Sequence, residues 1–354
     1  MKAVFAIPGD MDRRTGGFIY EATVLRTLRA LGHDIAHLRL PDGFPDPSPT
    51  EIAAAFDLLG RVPANVPILL DGFVPGTVDP DGLARLAAPL VPIIHHPLGL
   101  ETGLPPDRAA FLLANEAASL RHATRIVVPS PHTARILAAE FSVPTARITV
   151  APPGFEVPGG PRRPVTPPLI LSVGLLAERK GHDVLIAALS RIADLDWQAR
   201  IVGAAHDPFL ADALAAQIRA AGLSDRVVLT GELDAAALRT TYAEASIFAL
   251  ATRYEGYGIV FGEAMGWGLP IVGCAVGAVP DTVGDAGLLV PPDDPDAFAG
   301  ALRRLLTDAQ ARNALSAAAA RAGAALPRWR DTARVIAAAV DEAVEEVRRA
   351  RGPA

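Results

Sequence analysis

Apolar residues fall along the chain in short, nearly unbroken runs, each followed by a longer stretch in which they recur every third or fourth position. The first run, "AVFAI" at 3 to 7, reads as a buried strand. "GGFIYEATVLRTLRALGH" then reads as a helix carrying Phe18, Leu25, Leu28 and Leu31 on one face and closed by Gly32. "DIAHLRL" alternates as a strand, and the pattern continues through "VPILLDG", a helix over about 81–88, "VPIIHH", a helix over about 107–121, "RIVVPS", a helix over about 131–140, and "RITVAPPG". Repeated strand–helix units with apolar strands predict a parallel sheet covered on both faces.

The segment "PPGFEVPGGPRRPVTPP", 152 to 168, is too rich in Pro and Gly for regular structure and reads as a flexible link. Beyond it the alternation restarts with "LILSVG", "QARIVG", "RVVLTG", "SIFALA", "PIVGC" and "GLLVP" as strands. The helices between and after them are placed near 181–193, 208–221, 234–243 and 294–306. The expected fold is α/β, with two doubly wound Rossmann-like domains facing each other across a cleft. The boundaries read as 1–157 for the first domain, 158–167 for the linker, 168–328 for the second domain and 329–354 for a C-terminal helix that packs back on the first domain or lies on the second. Sheets of this kind bind ligands beyond the carboxyl ends of their strands.

One segment of the second domain carries unusual chemistry for its place. "RYEGYGIVFGEAMGWGLP", 253 to 270, sets two acids, Glu255 and Glu263, among five glycines. Gly256 and Gly258 suit a loop and the start of a helix, and Gly268 and Pro270 suit its end. Such a helix start presents unpaired N–H groups and partial positive charge to an anion.

Composition narrows the picture. A chain that is 50% hydrophobic builds packed cores, and no apolar run approaches the roughly 20 residues of a membrane helix. Net charge is −6, without the basic excess of a nucleic-acid binder. Cys274 stands alone, which excludes an intrachain disulfide, and the start "MKAVFAIPGD" lacks a leader pattern, so a cytoplasmic location is expected. Of 33 Lys plus Arg, only Lys2 and Lys180 are lysine. Lys180 sits beside Arg179 in "SVGLLAERKGHD", between a strand and a helix, where two cations suit a diphosphate. Gly16 and Gly17 open the first helix and suit a backbone cradle for an anion, or a plain helix start.

"SVGLLAERKGHDVLIAAL", "EGYGIVFGEAMGWGLPIVG" and "GAVPDTVGDAGLLVPPDDPDAFAGAL", with "TGG", "IIHH", "RIVVPSPHT" and "VPTARITVAPPGF" in order before them, resemble the retaining family 4 glycosyltransferases of GT-B fold from residue 1 to about 310. The resemblance implies transfer of a hexosyl residue from a nucleotide-diphosphate sugar to a saccharide or lipid-linked acceptor, with no cofactor and no metal. It implies that Glu263 holds the ribose hydroxyls and that Glu255 grips the donor sugar, with Gly256, Tyr257, Gly258 and Ile259 lining the donor. Lys180, set across the cleft from these acids, neutralises the leaving diphosphate, with Arg179 beside it. Gly16 and Gly17 face the phosphates, and His96 lies near the reacting carbon with His95 as its neighbour.

Four positions depart from the family pattern: Leu175 where arginine is usual, Ala205 in place of a glycine, and Ala251-Thr252 in place of Pro-Ser. Arg179 is expected to compensate for Leu175. Two alternatives stay open: a catalytically impaired sugar-nucleotide-binding subunit, which the missing cation at Leu175 supports, and, as a different enzyme class, a GT-B sugar-nucleotide epimerase. The Asp-x-Asp triplets at 79–81, 194–196 and 294–296 read as turns and helix starts. Arg108, Arg121 and Arg125 beside Phe111, Leu112 and Leu113 are compatible with peripheral contact at the inner membrane face, although a core-facing stripe with solvated arginines is the favoured reading.

Overall fold

Twelve strands pair in parallel in two six-stranded sheets in a computed structural model that describes residues 1–351 except Asp12, Arg14, Thr102 and His206. The side chain of Arg351 and residues 352–354, at the end of the segment assigned to the last helix, lie outside the described residues. The chain divides into two compact units, Met1–Gly154 with Pro327–Ala354, and Phe155–Leu326.

In unit 1 the strands are β1 (Lys2–Pro8), β2 (Asp34–Leu40), β3 (Ile68–Asp71), β4 (Leu90–Ile93), β5 (Ile126–Val128) and β6 (Ile148–Val150), ordered β2-β1-β3-β4-β5-β6. In unit 2 they are β7 (Leu169–Val173), β8 (Gln198–Val202), β9 (Val227–Gly231), β10 (Ile247–Leu250), β11 (Ile271–Cys274) and β12 (Gly287–Val290), ordered β12-β11-β10-β7-β8-β9. Alternate residues of one strand feed opposite faces. Ile247 and Ala249 of β10 join a core with Leu185, Leu189 and Phe298, while Phe248 and Leu250 join another with Phe261 and Met265. Strands covered on both sides have no polar face, which is why they read as unbroken apolar runs.

Strand order reverses between β1 and β3 in unit 1 and between β7 and β10 in unit 2. Loops leaving the carboxyl ends on either side of a reversal diverge and leave a crevice there.

Several elements differ from expectation. Strand β4 ends at Ile93, so His95 and His96 lie beyond it in the loop. The helix expected over 81–88 is a single turn and a half, Pro80–Ala84. Helices Pro49–Gly60 and Ala309–Ala325 appear where none was expected. Residues 158–167 carry no regular structure but are fastened to unit 2: Arg163 and Val165 donate backbone N–H groups to the carbonyls of Ala243 and Glu244, and Arg162 donates to those of Gly268 and Ala245.

Helix Trp329–Arg351 belongs to unit 1. Its Ala333, Ile336, Val340 and Ala343 are buried in one core with Val24, Leu25 and Leu28. Thr332 donates its hydroxyl to the Pro152 carbonyl at 2.7 Å. A Cβ on Gly154 would stand 2.1 Å from the Trp329 nitrogen, so glycine alone permits this approach.

Candidate functional site

At the reversal point of unit 2 the chain leaves β7 through Gly174 and Leu175 into a single 3-10 turn, Glu178–Lys180, and leaves β10 through Ala251, Thr252 and Arg253. Gly181 follows the turn with φ of +62°. A Cβ there would lie 1.9 Å from the Ala251 carbonyl oxygen, so glycine lets the two loops touch. Lys180 Nζ then meets Glu255 Oε1 at 2.5 Å, with the two residues only 8% and 6% exposed. Charges so far from water are costly unless paired, and each is the other's partner. Lys180 had been expected across a cleft from the acids; it stands instead in the same unit, in direct contact with Glu255.

Three further groups fix this pair. The Thr252 hydroxyl lies 3.2 Å from the same Glu255 oxygen and 2.9 Å from the Arg179 carbonyl. Arg253 donates its backbone N–H to the Arg179 carbonyl at 2.7 Å, and its guanidinium donates to the Glu178 carbonyl, to Asp183 through two bonds of 2.7 and 3.0 Å, and to Asp293 at 2.7 Å. Burial alone would raise the Asp183 carboxyl, but the bonds and charge of Arg253 outweigh it and leave the carboxyl below its ordinary range. Burial pushes the His182 imidazole down to about 4. It is therefore neutral at pH 7, and its Nε2–H donates to the Leu175 carbonyl at 3.2 Å.

The acid loop closes on Gly258, whose φ of +82° starts helix Ile259–Gly266 without a side-chain cap and without an acid in the first turn. That helix start keeps the partial positive charge that suits an anion. Ile259 begins the helix, half-buried. Tyr257 stacks on Phe155 at 6.2 Å, burial pushes its hydroxyl up to about 12, and its carbonyl accepts from Thr282 at 2.7 Å. Gly256 lies between Glu255 and Tyr257. A Cβ on Gly277, at φ +54°, would stand 2.3 Å from the Glu255 carbonyl oxygen, so glycine lets the following loop pass close to the acid loop. Glu263, inside the helix, accepts the Tyr242 hydroxyl at 2.7 Å. Burial raises the Glu263 carboxyl and the Tyr242 bond opposes it. The two acids thus differ in kind: Glu255 is bound to a lysine, Glu263 to a phenol.

Arg179 stands next to Lys180 on the turn, half-buried, with its carbonyl fixed by Thr252 and Arg253. Leu175 is half-buried at the end of β7.

In unit 1, Gly16 and Gly17 begin helix Gly16–Ala30 after Thr15, which makes no side-chain cap bond. His95 lies against this turn: a Cβ on Gly17 would come 3.1 Å from His95 Cδ2. His96 pairs instead with Glu101 at 2.9 Å.

Outside these rims, Asp79 and Asp294 accept backbone N–H groups at helix starts and Asp194 pairs with Arg303. Among the described residues no group of three His, Cys, Asp or Glu is arranged to hold a metal ion, and no helix is long and apolar enough to cross a membrane. Leu112 is buried, Phe111 is half exposed beneath the Arg108 guanidinium, Arg108 pairs with Asp46, and Arg125 pairs with Glu342 and Glu346.

Sequence reasoning passed over Tyr242, Arg253, Glu21 and Asp71. Glu21 alone gave a signal, an acid among Phe18, Tyr20, Val24 and Leu25 on an otherwise apolar helix.

Two family models match the chain: "Glycosyltransferase Family 4" over residues 15–158 and "Glycosyl transferases group 1" over residues 167–308. A relative of Thermobispora bispora named D-inositol 3-phosphate glycosyltransferase is 30% identical over 75% of this chain and 68% of its own length. Two other relatives of that name are matched over 41% and 62% of their length, so the chain spans about half to two thirds of the curated relatives it matches. Among solved structures, sucrose-phosphate synthase of Thermosynechococcus elongatus superposes with a TM-score of 0.82 at 21% identity, covering 98% of this chain and 100% of that one. Anabaena HepE, solved with UDP, gives 0.75 at 16% identity over 97% and 100%. These likenesses establish the two-domain GT-B architecture.

Proposed function

We propose that this chain, which belongs to the group 1, family 4 glycosyltransferases of GT-B fold, moves a hexosyl residue from a nucleotide-diphosphate sugar to a saccharide or lipid-linked acceptor with retention of configuration. The observation that carries the reading is the buried Lys180–Glu255 pair at the reversal point of unit 2, beside an uncapped helix start. Lys180 offers a point charge to a diphosphate, where negative charge grows as the sugar leaves. Glu255 accepts sugar hydroxyls and Glu263 the two ribose hydroxyls, each carboxylate having room for parallel O–H donors. The bond between the sugar carbon and the diphosphate oxygen breaks, the acceptor oxygen bonds that carbon from the same face, and a diphosphate oxygen takes the acceptor's proton.

Leu175, in a place where the family usually has a cation, favours a second reading: a subunit that binds the nucleotide sugar without turning it over. One experiment separates the two. The protein is incubated with a panel of UDP-, GDP- and ADP-sugars, with D-inositol 3-phosphate as the first acceptor on account of the relatives' name, and free nucleotide is followed. Release that Lys180→Ala abolishes supports transfer. Binding without release supports the second reading, and release that persists in Lys180→Ala overturns the assignment of the pair.

A further inference from the structure

Glu263 differs from Glu255 in its partner, and that partner is a side chain that the proposed transfer leaves unused. Glu263 is half-buried on helix Ile259–Gly266, and the hydroxyl of Tyr242, on helix Ala235–Glu244, donates to its Oε2 at 2.7 Å. Among the described residues this is the one hydrogen bond of the carboxylate, no cation pairs with it, and Oε1 is left without a partner. The phenol is tightly held. Tyr242 is 3% exposed, and its ring stacks nearly parallel on Phe248 at 6.3 Å and on Trp267 at 6.5 Å. Trp267 follows Glu263 by four residues, so the indole and the acid stand on one side of their helix and meet the ring and the hydroxyl of the same tyrosine. Stacking fixes where the hydroxyl lies, and the hydroxyl fixes how the carboxylate is turned.

Burial raises the Glu263 carboxyl, and the Tyr242 bond is the influence that opposes it. Burial, followed by the charge of Glu263, keeps the phenol protonated and therefore a donor. Two further helices pack against Ile259–Gly266. Val279–Val283 meets it with Val279 and Val283, and Ala309–Ala325 with Ala319 and Gly323. Asp281 and Arg321 on these helices are exposed, and Arg312 donates to the carbonyls of Leu305 and Leu306. The ionised form of Glu263 thus depends on one neutral hydroxyl.

We propose that Tyr242 is a positioning residue for nucleotide recognition: its hydroxyl occupies Oε2, holds Glu263 as a carboxylate in one orientation and leaves Oε1 to the ligand, so that the site selects a nucleotide with an intact ribose diol. A carboxylate offers about four acceptor positions. Tyr242 takes one and the diol draws on the rest. A protonated carboxyl would meet the diol with a donor of its own and lose one of those bonds. Naming the ligand's hydroxyls as ribose rests on the proposed sugar transfer; the Tyr242–Glu263 pair itself does not.

The test titrates the whole chain calorimetrically with UDP, GDP and ADP and with their 2′,3′-dideoxy counterparts, and compares wild type with Tyr242→Phe, which keeps the stacked ring, from pH 5.5 to 8.5. The nucleotide that wild type takes is expected to bind about ten- to a hundred-fold tighter than its dideoxy form. In Tyr242→Phe that preference should shrink by about ten-fold. It should also vanish, as pH falls and Glu263 takes a proton, at a pH higher by on the order of one unit. The dideoxy form should bind both proteins alike, and donor KM should rise with kcat unchanged. Equal weakening of the ribose and dideoxy forms would mark Tyr242 as merely structural and overturn the proposal, and so would an undiminished preference. A wild type that ignores the diol removes Glu263 from the ribose, and with it this reading of the site. The pair is then decided without nucleotide by 13C-labelled glutamate, with Glu263 assigned through Glu263→Gln. Its carboxyl should titrate at higher pH in Tyr242→Phe than in wild type, and an equal midpoint overturns the pair.

Discussion

Lys180 and Glu255, 75 residues apart in sequence, meet at 2.5 Å in a buried ion pair formed by the loops after β7 and β10. A diphosphate approaching Lys180 has Glu255 as its competitor. Glu255→Gln leaves the lysine free of that competitor and should tighten UDP binding by about three- to ten-fold, up to ~1.4 kcal/mol, while sugar transfer falls. Calorimetric titration with UDP decides this: affinity that is unchanged or weaker means the pair does not screen the lysine.

Arg253 fastens the Lys180 turn to the Glu255 loop through a planar fork on Asp183 and a third bond to Asp293. Lysine keeps the charge but not the fork. Arg253→Lys is expected to raise donor KM several-fold, because the loop that carries Glu255 loses its fixed angle. Equal kinetics in the two proteins would show that the backbone bond to Arg179 suffices.

Arg179 is expected to supply the cation that Leu175 does not. Arg179→Ala should weaken binding of a nucleotide sugar by on the order of ten-fold, the effect of losing one charge-assisted bond. Calorimetry gives the answer, and undiminished affinity removes the compensation.

Two glycine replacements should move stability in opposite directions. Gly181→Ala forces a Cβ to within 1.9 Å of the Ala251 oxygen at φ +62° and should cost at least about 2 kcal/mol. Gly300, inside helix Pro295–Thr307, has nothing within 4 Å of its Cβ position. Gly300→Ala should add up to ~1 kcal/mol. Urea denaturation reads both, and two shifts of the same sign would contradict the geometry.

Glu116 is fully buried, and burial pushes its carboxyl up to about 8 although the Leu98 N–H donates to it at 3.0 Å. An unfolded glutamate titrates near 4.3. Between those values the folded chain holds a proton that the unfolded chain has lost, so stability is full at low pH and declines as pH rises towards 8. Glu116→Gln should flatten that decline by about 1.4 kcal/mol per pH unit. Thermal melts from pH 5 to 9 measure it, and parallel curves would place the ionisation elsewhere.

The strand–helix alternation was legible because strands covered on both faces are apolar throughout; β3, β4, β10 and β11 are buried at every residue. Helix Ala309–Ala325 was not, because it buries little beyond Ala319 and Gly323 and so has no apolar stripe to find. Helix Pro49–Gly60 carried an unread signal, the reciprocal capping box of Ser48 and Glu51. At the site, Lys180, Glu255 and Glu263 stand in short motifs that sequence displays. Arg253 and Glu21 take their meaning from partners 70 and 74 positions away, Asp183 and His95, and only the folded sheet brings these together.

The return of the last helix to unit 1 sets an order on synthesis. The core beneath Val24, Leu25 and Leu28 takes Ala333, Ile336 and Val340 as its other wall, and these are translated after the whole of Phe155–Leu326. Chains usually fold from the first domain onward as they emerge. Here unit 2 has all its residues before unit 1 does, and the ribosome delivers the half with the Lys180–Glu255 pair complete while the half with His95 still waits for its final wall.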